Sequence, residues 1–288
     1  PKHADAHVSR AMVLLASGAR TEAAAELTKL KEAKVREPRA SWLRGMLAQD
    51  KGAAATAKAE FTDAINLIDP LPPAIRNASE PLLLAGALSH YGLGNKEKVR
   101  EYLATLLSRN SRHYAAQLLM ATVLIESKDY DRAMPLLEAL QRATPDSAQV
   151  LYMIGSVHLA RKQYAQAAGF LERASRQGGS SDALRELSFT QFGMGQNKLA
   201  LANLEKAHAA NPKDLRAGIE LAVVYARSGQ SAKAVQTAES LVKLDPDNLA
   251  MLNFLGNIKG RLGDRKGMRE AYEQALAKDP KFRLVVMN

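Results

Sequence analysis

Residues 147–180 read SAQVLYMIGSVHLARKQYAQAAGFLERASRQGGS, and this stretch decides the fold. Apolar residues three and four apart mark helical stripes. Leu151, Ile154 and Gly155 form the first stripe, and Ala167, Leu171 and Ala174 form the second. Arg161, Lys162 and Gln163 lie between them, too polar to be buried. The stretch predicts two short amphipathic helices joined by a tight turn.

Near copies recur on both sides at a period of about 34 residues. Eight registers begin at Ala4, Pro38, Glu80, Tyr114, Ala148, Ser181, Leu215 and Leu249. The eighth position of each is small: Ala11, Gly45, Ala87, Ala121, Gly155, Ser188, Ala222 and Gly256. The twentieth is alanine in six of them (Ala23, Ala57, Ala133, Ala167, Ala200, Ala234), with Val99 and Met268 in the others. Small side chains at both places let the two helices approach closely. The twenty-fourth position fills the space with Leu27, Phe61, Leu103, Leu137, Leu171, Leu204, Ala238 or Tyr272. Gly18, Gly52, Gly94, Gly195, Gly229 and Gly263 fall where a first helix needs a left-handed C-terminal residue. Pro145, Pro212, Pro246 and Pro280 follow second helices, which proline cannot continue.

This pattern resembles the tetratricopeptide repeat, a 34-residue helix–turn–helix with W-x2-L-G-x2-Y, then A-x3-F, then P. The unit at Ala148 matches at Leu151, Ile154, Gly155 and His158, then at Ala167, Leu171 and Ala174. The resemblance implies an all-α, right-handed superhelix (an α-solenoid) of about eight helix–turn–helix repeats. The expected repeats are 4–37, 38–71, 80–113, 114–147, 148–180, 181–214, 215–248 and 249–282, in one continuous array.

Three features interrupt the regular pattern. Pro70, Pro72 and Pro73 end a helix, and an inserted loop is expected at 72–79. It reads either as a contact loop for a ligand or subunit, or as a tolerated surface insertion. Asn77-Ala78-Ser79 matches a glycosylation triplet of a kind that chance supplies often. Pro135 should sit near the first turn of its helix or bend it. After Phe282, an incomplete cap at 283–288 carries Leu284, Val285, Val286 and Met287, whereas solenoids normally close on a polar helix. Either the natural chain continues or this end packs against another molecule. Pro1 and Lys2 lead straight into a repeat with neither signal peptide nor initiator Met, as expected of a processed or excised piece.

Composition excludes some chemistry. The chain has no Cys, hence no disulfide and no thiolate nucleophile, though this leaves the compartment open. No run approaches the ~18 apolar residues of a membrane span. The net charge of +10 suits an acidic partner such as a nucleic acid or anionic lipid surface, or is simply a solvated basic surface. Lys and Arg are dispersed and aromatics are scarce for base stacking, so no specific nucleic acid is expected.

No enzyme motif is present: no H-E-x-x-H, G-x-S-x-G or phosphate loop following a strand. His90, His113, His158 and His208 fall in different repeats without ligand spacing. His90 and His158 occupy the motif's Tyr position, as packed histidines do. His3 and His7 are four apart, the spacing of zinc ligands on a helix, but no third ligand accompanies them and a frayed terminus is the better reading. No catalytic residue, metal or cofactor is expected.

The family resemblance implies that first helices line an inner groove through motif positions two, five, nine and twelve. Here those places include Trp42, Met46, Leu84, Leu88, Tyr91, Leu118, Thr122, Ile125, Tyr152, Ser156, Leu159, Arg185, Phe189, Phe192, Ile219, Val223, Asn253 and Asn257. The set is apolar and aromatic in the middle and polar in the last repeat, which marks either an interaction surface or core between repeats. The carboxylate clamp of some family members is not matched. Val8, Leu84, Leu118 and Tyr152 occupy its places, and only Asn253 and Asn257 resemble a fragment of it.

The alanine-rich texture is similar to the bacterial tetratricopeptide lipoproteins of exosortase (PEP-CTERM) and exopolysaccharide systems. That resemblance implies a periplasmic or envelope-associated scaffold. The expected function is non-enzymatic binding of a protein or peptide segment in the groove, with self-association through the array ends as a further option. A cytoplasmic regulatory or nucleic-acid-associated adaptor that uses the basic surface is the alternative.

Overall fold

The computed structural model describes residues 2–178 and 180–282, with Lys2 and His3 described by their backbone. Among the described residues there are seventeen helices and no strand. They fall into two compact units, Pro1–Arg142 and Ala143–Asn288.

The first unit holds α1 (Lys2–Ala16), α2 (Arg20–Glu32), α3 (Pro38–Asp50), α4 (Ala54–Ile68), α5 (Pro73–Arg76), α6 (Glu80–Gly92), α7 (Lys96–Arg109), α8 (Tyr114–Glu126) and α9 (Tyr130–Ala143), whose last residue crosses the boundary. The second holds α10 (Ala148–Ala160), α11 (Tyr164–Arg176), α12 (Ser181–Gly193), α13 (Asn197–Ala210), α14 (Leu215–Arg227), α15 (Ser231–Leu244), α16 (Leu249–Arg261) and α17 (Arg265–Lys278). In the first unit α1 packs on α2, α2 on α3, α3 on α4, α4 on α6, α6 on α7 and α7 on α8, and in the second each helix from α10 to α17 packs on the next.

The two kinds of helix start differently. From α3 on, first helices open on a side chain that caps a free backbone N–H. Glu37 accepts from Ala40 N at 2.7 Å, Ser147 from Val150 N at 3.4 Å, and Asp214 from Arg216 N at 2.9 Å. Most second helices lack such a cap because the preceding turn already ties them in. At Gly52 (φ 73°) the amide of Gly52 reaches Gln49 O and that of Ala53 reaches Ala48 O, each at 2.9 Å. This is the paired bonding of a Schellman turn, which needs left-handed backbone. All six turn glycines of the sequence pattern have positive φ. Lys128 and Lys162 hold the same place in their repeats at φ 59° without being glycine.

The small eighth position packs against the bulky twenty-fourth. An added Cβ on Gly45 would lie 2.5 Å from the Phe61 ring, and one on Gly155 would lie 2.6 Å from Leu171 Cγ. Gly256 is closed off by Tyr272 in the same way. Phe61 and Leu171 are buried, so these glycines are where the helix pairs touch. Ala23, Ala133, Ala167, Ala200 and Ala234 at the twentieth position are wholly buried as well.

The insertion after Ile68 carries a turn of helix, α5, where a plain loop is expected from sequence. Pro73 stands at its first position, where a fixed φ and a missing N–H cost nothing. It is also tied down. The Arg76 guanidinium lies 5.1 Å from the Tyr102 ring centre, and Tyr102 OH donates to Asp69 at 2.5 Å. Pro135 lies inside α9, after its first turn. The apolar segment 283–288 and Gly179 of the expected Gly178-Gly179 turn lie outside the described residues.

Candidate functional site

In the first unit, the sequence-expected groove residues sit on α3, α6 and α8 and are all half-buried. Trp42 and Met46 pack on the cluster built from α1 to α3. Leu84, Leu88, Tyr91 and Ile125 pack on the larger cluster around Tyr102 and Leu103. Leu118 and Thr122 are half-buried beside them. The Tyr91 hydroxyl donates to Glu126 at 2.5 Å, and Lys96 pairs with the other oxygen at 2.8 Å. Burial and the Glu126 carboxylate together push the Tyr91 hydroxyl up to about 12. These side chains support the core and show one edge to solvent.

In the second unit, a polar ladder links first helices one period apart. Tyr152 OH donates to one Glu186 oxygen at 2.8 Å, and Ser156 OH donates to the other. Arg185 reaches Glu220 at 3.5 Å and Asp182 at 3.4 Å. Each rung joins motif position five to position six of the next repeat. Burial raises the Tyr152 hydroxyl, and Glu186 raises it further. Burial works against the Arg185 charge, yet Glu220 and Asp182 outweigh it and hold the guanidinium above its ordinary value. Glu220 is raised by burial, which Arg185 only partly offsets. Arg185 Nε and Glu220 Oε2 are buried and have no hydrogen-bond partner among the described residues.

The next rung, Ile219 and Phe254, is apolar, and the surface opens there. A depression of about 590 Å³ lies among α12, α13 and α14, with Phe189, Phe192, Leu204, Ile219, Val223 and Val224 as its apolar wall. Phe189 is 41% exposed, the most open of the expected groove residues, and Phe192 is half-buried. A second depression of about 590 Å³ lies among α14, α16 and α17, lined by Val223, Arg227, Phe254, Asn257, Arg261, Met268 and Tyr272 among others. Asn257 Oδ1 accepts from Tyr272 OH at 2.6 Å. A smaller hollow of about 210 Å³ joins the two, and Val223 and Arg227 line all three.

One expected groove residue is corrected. Asn253 is 8% exposed and belongs to the interior, because α16 turns that position toward its neighbours. Leu159 is half-buried at the end of α10. Sequence reading passed over Asn197 and Leu204, which reach the depression from a second helix, and Arg227 and Arg261. The last pair had a signal: arginine at the thirteenth position of two successive repeats.

Four of the histidines have local structural partners. His90 is buried, 3.2 Å from Asp69, and leans on the Tyr102 ring. His158 bonds Gln163 at 2.7 Å and stacks on Phe170. His113 caps α8. His7 is not frayed: it meets Glu26 at 2.7 Å, while the His3 side chain lies outside the described residues. No group of three or more His, Asp or Glu side chains suited to a metal ion occurs among the described residues. Among those residues, no helix is long and apolar enough to cross a membrane.

The paired helices, close small-to-large crossings and left-handed turns define a helical-repeat protein. Tetratricopeptide repeat profiles match residues 84–148, 118–182, 191–258 and 249–282, together about two thirds of the chain. The chain belongs to the tetratricopeptide repeat family. No curated protein matches it. Among solved structures, it is similar to PilW, a widely conserved type IV pilus biogenesis factor, with TM-score 0.62 and 19% identity over 72% of this chain and 97% of that one. It is also similar to PilF of Pseudomonas aeruginosa, with TM-score 0.58 and 17% identity over 72% and 95%. YrrB, a TPR protein with an unusual peptide-binding site, gives TM-score 0.50 and 20% identity over 64% and 96%. At these identities the likeness is one of fold.

Proposed function

We propose that this chain is a non-enzymatic scaffold that holds a protein or peptide segment against the first-helix face of its second unit. The observation that carries this reading is the apolar depression of about 590 Å³ walled by Phe189, Phe192, Ile219 and Val223. Exposed aromatic side chains on a packed frame are what a binding surface uses as anchors. The tetratricopeptide fold suits the role, and YrrB, which shares it, is a TPR protein with a peptide-binding site. On the first unit, Trp42, Met46, Leu84, Leu88, Tyr91, Leu118 and Ile125 would form a surface of its own.

The setting we propose is a bacterial envelope or exopolysaccharide-secretion assembly, on the strength of the alanine-rich texture shared with PEP-CTERM-associated lipoproteins. Fractionation of the native host tests it: recovery with the cytoplasm would overturn it. The net charge of +10 favours a second reading, an adaptor for an acidic macromolecule. Binding that collapses between low and high salt supports that second reading, and binding that persists supports the groove.

A photo-crosslinking residue placed at position 189, and separately at position 199, tests the surface in the native host. Leu199 is somewhat more exposed but lies on the second helix α13. Cross-links to a discrete partner from position 189 alone are expected. Equal cross-linking from both positions would refute the groove.

A further inference from the structure

We propose that the first-helix face of the second unit takes an extended acidic segment of a partner protein. A bulky apolar side chain of that segment sits between α12 and α14, and an acidic side chain sits between α14 and α16, about three residues away. The inference rests on the groove reading above and assigns the chemistry of its occupant.

Charge complementarity carries it. The depression between α14 and α16 has two guanidiniums, Arg227 and Arg261, and no Asp or Glu among its lining residues. Neither arginine makes an ion pair among the described residues, whereas Arg39, Arg44 and Arg185 on other first helices all do. Asn257 spends its Oδ1 on Tyr272 and so presents its Nδ2 as a further donor. The cluster therefore offers donors and positive charge with nothing to receive them. One acid, Glu220, shares the other depression with Arg227 and is already bound to Arg185.

The conformation follows from the same site. Glu220 lines the depression with its side chain 23% exposed, and among the described residues its Oε2 has no hydrogen-bond partner. An extended backbone has free N–H groups to give it, while a helix has spent most of its own internally. Packed helices are ~8–10 Å apart and an extended chain advances ~3.3 Å per residue. Neighbouring seams are thus about three residues apart. Two guanidiniums set one repeat apart suit acidic side chains along a running segment rather than a single chain-end carboxylate.

The test uses the whole chain and fluorescent peptides blocked at both ends. Each carries one Phe and a Glu pair in a Gly/Ser background, with their separation stepped from one to six residues. Anisotropy should show tightest binding near a separation of three. Glu→Gln in the peptide should weaken it about threefold to fivefold, as for exposed ion pairs, and less at high salt. The Arg227→Gln/Arg261→Gln variant, checked for helicity, should bind the Glu and Gln peptides alike. Phe-dependent binding indifferent to Glu would overturn the acidic assignment and leave the groove standing. Loss of Phe dependence in every peptide would overturn the groove at this seam, and the proposal with it. Tight binding only by peptides with a free C-terminus would replace the side-chain carboxylate with a chain end and refute the proposal as stated.

Discussion

Alanine at Gly155 and alanine at Gly169 are the same one-carbon change in two surroundings of one repeat. Gly169 lies within α11 and is exposed, with nothing within 4 Å of an added Cβ. Only helix propensity acts there, so Gly169→Ala should stabilise by about 1 kcal/mol. Gly155 lies within α10, where the new Cβ would fall 2.6 Å from Leu171 Cγ, 2.8 Å from its Cδ2 and 3.4 Å from its backbone N. Ordinary contact is ~3.5–4.0 Å, so Leu171 must retreat by about 1 Å. It is wholly buried and its Cγ is not a free end, so the retreat moves α11 or strains a rotamer. Such overpacking costs ~1–3 kcal/mol, which exceeds the propensity gain for most of that range. Gly155→Ala should be neutral to destabilising by up to about 2 kcal/mol, leaving the two variants about 1–3 kcal/mol apart. Urea titrations followed by circular dichroism measure this, and an unchanged slope licenses the comparison. Leu171→Val in the Gly155→Ala background should recover part of the loss. If Gly155→Ala stabilised the chain as much as Gly169→Ala, the α10–α11 crossing described here would be wrong.

Other expectations follow from single contacts. Lys128→Gly and Lys162→Gly remove side chains from left-handed turns at φ 59°, and each should stabilise by ~0.5–1 kcal/mol in the same titration. Asn203 Nδ2 donates to Gln191 Oε1 at 2.8 Å inside the second unit. Gln191→Ala should cost ~1–3 kcal/mol by orphaning that donor, and Gln191→Leu with Asn203→Leu should cost less than Gln191→Ala alone. The Glu26 carboxyl is held down from 4.5 to about 2, by Lys29 and then His7. A depressed acid contributes stability above its unfolded value and loses it as pH falls. The advantage of the natural chain over Glu26→Gln should therefore shrink between pH 4.5 and about 2, read by helical circular dichroism, and a constant difference would contradict the pairing.

Much of the fold was legible because its rules act within one period. A stripe of three-and-four spacing, a small residue at Gly155, a bulky one at Leu171 sixteen residues on, and a glycine at the turn are all short-range facts. Close packing requires small against large wherever two helices cross, so Gly45 with Phe61 and Gly256 with Tyr272 repeat the solution. The one-turn α5 was not legible, since what ties it down is Arg76 over the ring of Tyr102, a residue of the next repeat.

The site divides along the same line. Sequence by itself placed Tyr152, Arg185, Phe189, Phe192 and Asn253 on one face of successive first helices. Only the tertiary structure decided what each does there: Tyr152 and Arg185 are occupied by acids one repeat later, Asn253 is interior, and Phe189 stands open. Helical periodicity gives the direction of a side chain around its own axis. Whether that direction ends in solvent, in a carboxylate or in another helix depends on residues about 34 positions away and on the distance at which the next helix packs, neither of which a local pattern contains.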